Sequence, residues 1–139
     1  MVIIPCSADK AARPAPAAEL YTGSYHRLAR AAAETLTATG GRILILSGLH
    51  GLLTPDRVIA PYDHRMGQPG SVTPSQLRSQ AGELGVADAD EVVVLAGRAY
   101  AEAVQPIWEH ALLPLAGSRG IGDHRARLSL IRDQGMTTK

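Results

Sequence analysis

Apolar residues along the chain fall into short runs separated by longer mixed segments. Residues 2–6 (VIIPC) form a β-branched run ending in proline and cysteine, the pattern of a short buried strand. Residues 42–47 (RILILS) are apolar at every inner position, as in a strand covered on both faces. Residues 91–97 (EVVVLAG) repeat the pattern, and residues 111–117 (ALLPLAG) hold a short fourth strand. Helix formers dominate residues 24–38, where Leu28, Ala31, Ala32 and Leu36 share one face, with Ser24 as N-cap and Gly40 and Gly41 as the stop. Residues 73–85 start a second helix with Thr73 as cap and Pro74 in the first helical position. Residues 98–110 predict a helix bent or broken near Pro106, and residues 122–135 a last one. Residues 7–20, with Pro14 and Pro16, read as a surface loop.

Strands alternating with helices imply parallel pairing and an α/β architecture. The expected fold is a small Rossmann-like three-layer sandwich around a short, mostly parallel sheet. It forms a single α/β domain over residues 1–135, with a frayed tail at 136–139. One segment resists this scheme. Residues 47–63 (SGLHGLLTPDRVIAPYD) are neither clean helix nor clean strand, yet too apolar for disorder. Long irregular segments in compact domains are usually functional. Here Leu52, Leu53, Val58 and Ile59 are expected to pin it to the core while His50, Tyr62 and Asp63 are presented at the sheet edge.

Composition narrows the classes. The 139 residues are 45% hydrophobic and 19% charged, an ordinary globular balance. A formal net charge of +1 gives no global electrostatic argument for nucleic acid or membrane. A single cysteine excludes an internal disulfide framework. No apolar run reaches the length of a membrane span, and a cytoplasmic location is the default expectation.

In a parallel sheet the loops after successive strands emerge at one edge, where ligands bind. That brings Cys6, Ser7, Lys10, Ser47, His50, Tyr62, Asp63 and Tyr100 together as candidates. Gly48 and Gly51 flank His50 and permit close ligand approach. The stretch GSRGIG, with Gly120, Gly122 and Arg119, opens the last helix and reads as an anion cradle. His26, His50, His64, His110 and His124 are scattered without ligand spacing, so no metal and no cofactor is expected.

Taken together, IIPCSADK, ELYTGSYHRLARAAA, LILSGLHGLLTPDRVIAPYD, VVVLAGRAY and LPLAGSRGIGDHRARL resemble an uncharacterised family of small bacterial and phage proteins. More distantly they are similar to the YaaA peroxide-stress proteins and, in PCS…K, to the archaeosine synthase domain, which acts on 7-deazaguanine in transfer RNA. The resemblance covers nearly the whole chain. It carries Cys6, Ser7 and Lys10 in its first motif, Tyr21 and Ser24 in the second, and Ser47, His50, Gly51, Tyr62 and Asp63 in the third. Gly97 and Tyr100 match the fourth, and Gly120 and Gly122 the last. Gly48 and Leu49 stand where members often have Ala and Lys, which removes a cation.

The resemblance implies an enzyme acting on a nucleobase-containing substrate, with N-glycosidic hydrolysis or base transfer as the expected reaction. Asp63 would steady the cationic sugar or orient water, His50 would protonate the leaving base, and Tyr62 would stack on it. Ser7, Lys10 and the Gly120–Gly122 turn would hold phosphate. Cys6 is a nucleophile in the variant suggested by the archaeosine comparison. The alternative is a non-catalytic nucleotide- or DNA-binding module, using residues 65–71 and Arg125, Arg127 and Arg132. A homodimer through apolar residues 112–115 is compatible with both.

Overall fold

A computed structural model describes residues 1–136. Its elements are β1 (Val2–Pro5), β2 (Ala15–Pro16), α1 (Ala17–Leu20), α2 (Ser24–Leu36), β3 (Ile43–Ser47), β4 (Gly51–Leu53) and β5 (Val58–Ile59). They continue with α3 (Pro74–Glu83), β6 (Val93–Val94), α4 (Arg98–Val104) and α5 (Ile121–Gln134). The architecture is mixed α/β, with a four-stranded, mostly parallel sheet in the order β4-β3-β1-β6. β1 is parallel to both β3 and β6, and β4 is the antiparallel edge. Among the described residues, no helix is long and apolar enough to cross a membrane.

The sheet is covered on both faces because its strands are apolar at consecutive positions, and alternation sends each residue the opposite way from its neighbour. Val2, Ile4, Ile45, Leu53 and Leu95 pack with Leu20 of α1, Ala29, Ala32 and Ala33 of α2, and Leu128 and Ile131 of α5. Ile3, Leu44, Leu46, Leu52 and Val94 pack with Leu77 and Ala81 of α3, Ala101 and Val104 of α4, and Trp108. Small alanines let α2 approach the sheet and α5 closely. Leu44 and Leu46 have no exposed surface, so truncating either to Ala costs about 2–5 kcal/mol. Trp108, also fully buried, donates its indole N–H to the Val86 carbonyl at 3.0 Å.

Pro5 decides where the central ladder opens. Val2 and Cys6 donate to Arg42 and Leu46, so the amides of residues 3 and 5 face β6. Proline has no amide to donate. The last rung between the two strands is therefore Leu95 N–H to Ile3 O at 2.8 Å. Beyond it they separate, and the Pro5 carbonyl is taken by His26 Nδ1 of α2 at 2.6 Å.

Several elements differ from the sequence expectation for identifiable reasons. Residues 7–20 are not all loop. Pro14 and Pro16 push the residues before them into extended backbone, giving β2, which pairs with β5, and α1 follows. Gly23, not Ser24, is the N-cap of α2. The helix from Arg98 stops at Val104, just short of Pro106. Residues 111–117 contribute one isolated bridge, Leu112 to Val93, because Pro114 cannot continue a ladder. The irregular segment 47–63 contains β4 and β5, and Val58 is 62% exposed rather than pinned. Leu115 is buried while Leu112 is exposed, so residues 112–115 do not form a continuous apolar surface.

Candidate functional site

Where β1 and β6 separate, a cleft of about 420 Å³ opens at their carboxyl ends. It lies at the reversal of strand order: the chain passes from β1 to β3 on one side, then returns to place β6 on the other. Ligands of open α/β sheets bind at such switch points. Pro5, Cys6, Ser7 and Asp9 form the side after β1, Gly97 and Tyr100 the side after β6, and the starts of α2 and α5 the remaining walls.

The helix starts are built to leave backbone donors free. α2, α4 and α5 have Gly23, Gly97 and Gly120 as N-caps, and none makes a side-chain capping bond. First-turn N–H groups carry the positive end of the helix dipole and favour anions. Gly23 is required for space, since a Cβ there would stand 2.9 Å from Ser7 Cβ. Ser7 Oγ accepts the Gly23 N–H at 3.3 Å and donates to the Asp9 carbonyl at 2.6 Å, fastening the loop after β1 to α2.

Three side-chain pairs line this space. Arg125 of α5 donates to Ser24 Oγ of α2 at 2.7 Å, keeping a guanidinium at the rim. Tyr25 Oη lies 2.8 Å from His124 Nδ1. Burial pushes the Tyr25 phenol up to about 12 despite the opposing pull of Arg125. It therefore keeps its proton near neutrality and donates to Nδ1, leaving Nε2 as the ring N–H. Cys6 Sγ sits 3.3 Å from Tyr100 Oη, whose ionisation burial raises far above the usual phenol range.

The other sequence candidates form an adjoining buried network outside the cleft lining. Tyr62 Oη is 2.5 Å from Tyr21 Oη and 2.6 Å from Ser47 Oγ. Ser47 Oγ accepts the amides of Leu49 and His50, so its own proton goes to Tyr62. Burial raises both phenols, which stay protonated donors. Lys10 Nζ lies 4.3 Å from the Tyr62 ring centre, a cation–π contact that covers that ring. His50 meets Tyr62 edge-on at 5.0 Å and faces a separate polar depression beside Ser79, Gln80 and Glu83. Its imidazole is shifted down, by burial first and then by Arg57. Asp63 is exposed and lines neither hollow.

The glycine-rich turn before α5 is closed by its own carboxylate, Asp123 Oδ2 accepting the Arg119 amide at 3.1 Å; Gly120 (φ 142°) and Gly122 are exposed. Gly51, at φ 78°, makes the turn into β4. Among the described residues, no group of three or more His, Cys, Asp or Glu stands close enough to hold a metal ion. Of the arginines named for DNA, Arg125 bonds to Ser24, Arg127 to the Pro114 and Ala116 carbonyls, and Arg132 forms a solvent-exposed pair with Asp133. The sequence reading missed Asp9, Gly23, Tyr25, His124 and Arg125 as a group. The usable signal was that YTGSY and GIGDHR each put glycine immediately before a helix that opens with aromatic or basic residues.

Residues 1–129 match the model of a family of unknown function, DUF6884. The uncharacterized protein YfjM of Bacillus subtilis (strain 168) is 31% identical over 134 residues, spanning 88% of this chain and 87% of its own.

Proposed function

The chain belongs to the DUF6884 family of unknown function, and from that premise we propose that it is an enzyme acting on a nucleobase-containing substrate, a nucleotide, whose N-glycosidic bond it hydrolyses or transfers. One observation carries this reading. The β1/β6 cleft combines uncapped starts of α2 and α5, the Arg125 guanidinium and the Tyr25–His124 pair at the strand-order reversal. The first two suit a phosphate, and the last suits a proton donor to a departing base. The likeness of PCS…K to one element of the archaeosine synthase domain favours the same substrate class, and the strand order supports a Rossmann-like reading of the sheet.

In this mechanism the phosphate sits against the first turns of α2 and α5 with Arg125 at its side. The C1′–N bond breaks with its electron pair leaving on the base nitrogen. His124 acts from its imidazolium form, with Nδ1–H turned to Tyr25 Oη; it gives its Nε2 proton to that nitrogen and is left as the neutral ring that accepts from Tyr25. Asp9, the carboxylate lining the cleft, takes a proton from the water that adds to C1′. Cys6 lies on the cleft floor against Tyr100 and shapes the sugar subsite; covalent attack by its thiol is the variant form of this reading.

The test is incubation with nucleosides, nucleotides and 7-deazaguanines, following base release by chromatography. Release by the wild type, reduced by about two orders of magnitude or more in His124→Ala, supports the proposal. A compound that raises Tm without being turned over makes the cleft a binding site and removes the enzyme claim.

A further inference from the structure

A second chamber of about 490 Å³ lies behind the cleft, more enclosed than it, and the two share Gly97 and His124 as their common wall. The imidazole is the partition: His124 Cε1 lies over Gly97, 3.5 Å from where a Cβ would stand. The chamber's walls are largely apolar, with Ala101, Leu113 and Leu115 among them. Ser118 Oγ is sealed beneath this lining, while the exposed Gln105 contributes an amide side chain to the wall. The Arg98–Glu102 ion pair stands at the rim, both side chains open to solvent.

Resting on the nucleotide reading above, we propose that this chamber is the base subsite: a planar heteroaromatic ring enters it, and the sugar and phosphate remain in the cleft. A nucleobase has apolar faces for the Ala and Leu walls and a polar edge for the Gln105 side-chain amide. A ligand spanning both spaces carries its glycosidic bond past His124, the position from which Nε2 reaches a base nitrogen. The combined space is of the size that small-molecule sites occupy, roughly 300–1,000 Å³. The base then departs inward while the phosphate stays held by the helix starts. Discrimination between bases lies with Gln105 and the chamber's shape, not with the residues that contact phosphate.

The subsites are separable by isothermal titration with three probes: ribose 5-phosphate, the free bases adenine, guanine, cytosine and uracil, and the matching nucleoside 5′-monophosphates. Ala116 is an exposed residue of the chamber's lining, so Ala116→Trp narrows the chamber without disturbing the core. The expected result is a loss of about tenfold or more in affinity for the preferred base and its nucleotide, with ribose 5-phosphate changed by less than about twofold. Gln105→Ala, which removes the exposed amide from the chamber wall, should flatten the preference among bases, and an unchanged preference would take base recognition away from this wall. Unchanged nucleotide affinity in Ala116→Trp, with the wild type binding both nucleotide and ribose 5-phosphate, overturns the base subsite and leaves the cleft reading intact. Failure of the wild type to bind any phosphate probe overturns the cleft reading. Base binding that Ala116→Trp still abolishes would then support the chamber alone.

Discussion

Gly51 and Gln80 fit together as a turn and its clamp. Gln80 Oε1 accepts the Leu52 amide and Gln80 Nε2 donates to the His50 carbonyl, both at 2.8 Å, so the side chain bridges the residues on either side of the glycine. A Cβ on Gly51 would stand 2.1 Å from Gln80 Oε1, and the backbone there has φ 78°. Gly51→Ala therefore carries two penalties. The left-handed backbone costs about 1–2 kcal/mol, and displacing Gln80 orphans two backbone groups at about 1–3 kcal/mol each. Urea denaturation should show a drop of about 3–8 kcal/mol. The same substitution in a Gln80→Ala background should cost less, because the clash is already gone. Equal costs in both backgrounds would show that the clamp does not bear on the turn.

Ser47 should prove a keystone of the segment after β3. Its hydroxyl accepts two amides and donates to Tyr62, which in turn meets Tyr21. Ser47→Ala leaves these groups unpaired and should destabilise the fold by about 2–4 kcal/mol, more than an isolated hydrogen bond would suggest. Tyr62→Phe should cost less, since Ser47 keeps its two amides. Chemical denaturation of both variants checks the order, and a smaller loss for Ser47→Ala would contradict the network.

Acid should weaken the protein before its carboxylates titrate. His26 has no exposed surface, and its imidazole is shifted down from 6.5 mainly by burial. The Pro5 carbonyl opposes that shift, and Arg30 and Arg27 add to it. In the unfolded chain the ring takes a proton near pH 6.5, while the native ring resists it. The unfolded state therefore binds more protons below that pH, and stability present above it is lost as pH falls. The slope approaches about 1.4 kcal/mol per pH unit for one fully excluded proton. His50, half-buried and shifted the same way, adds a smaller part. Melting curves from pH 7.5 to 5.5 should show a falling Tm. His26→Asn, which retains a donor toward Pro5, should flatten the fall while lowering Tm throughout. An undiminished pH dependence in that variant would assign the effect elsewhere.

What the sequence disclosed was local. The Thr73–Pro74 start of α3 was legible because its capping box closes within four residues, the side-chain oxygens of Thr73 and Gln76 each accepting the other's backbone N–H. β1 and β3 were legible because unbroken apolar runs have few other homes. The return of β4 along β3 was not, since Gln80 holds that turn from a helix well downstream. β6 is shorter than its valines suggested, because its pairing is limited by Pro5 in another strand. The cleft was half legible. Cys6, Ser7, Ser24, Gly97 and Tyr100 line it as strand and helix ends should. Yet Tyr25 with His124, and Ser24 with Arg125, meet only when α2 packs on α5. His50 and Asp63 attracted attention because an irregular segment exposes whatever chemistry it holds; in the fold His50 packs edge-on against Tyr62 of the buried network, and neither residue lines the β1/β6 cleft.

The two assignments of the chemistry make opposite forecasts. If proton transfer to the base runs through the β1/β6 cleft, His124→Ala and Asp9→Asn should each lower kcat for base release by about two orders of magnitude or more. KM should change far less, because neither residue supplies the main phosphate contacts. His50→Ala and Asp63→Ala should then keep kcat within about threefold of wild type, as expected of side chains outside the cleft. If the segment after β3 carries the reaction, the order reverses. Circular dichroism and Tm on all four variants separate lost chemistry from lost fold, which matters most for His50, whose ring packs on Tyr62. Tyr25→Phe refines the outcome. It leaves His124 in place but removes the donor to Nδ1, so it should alter the pH profile of kcat more than KM. A change in KM alone would mean that Tyr25 shapes the pocket rather than fixing the imidazole tautomer.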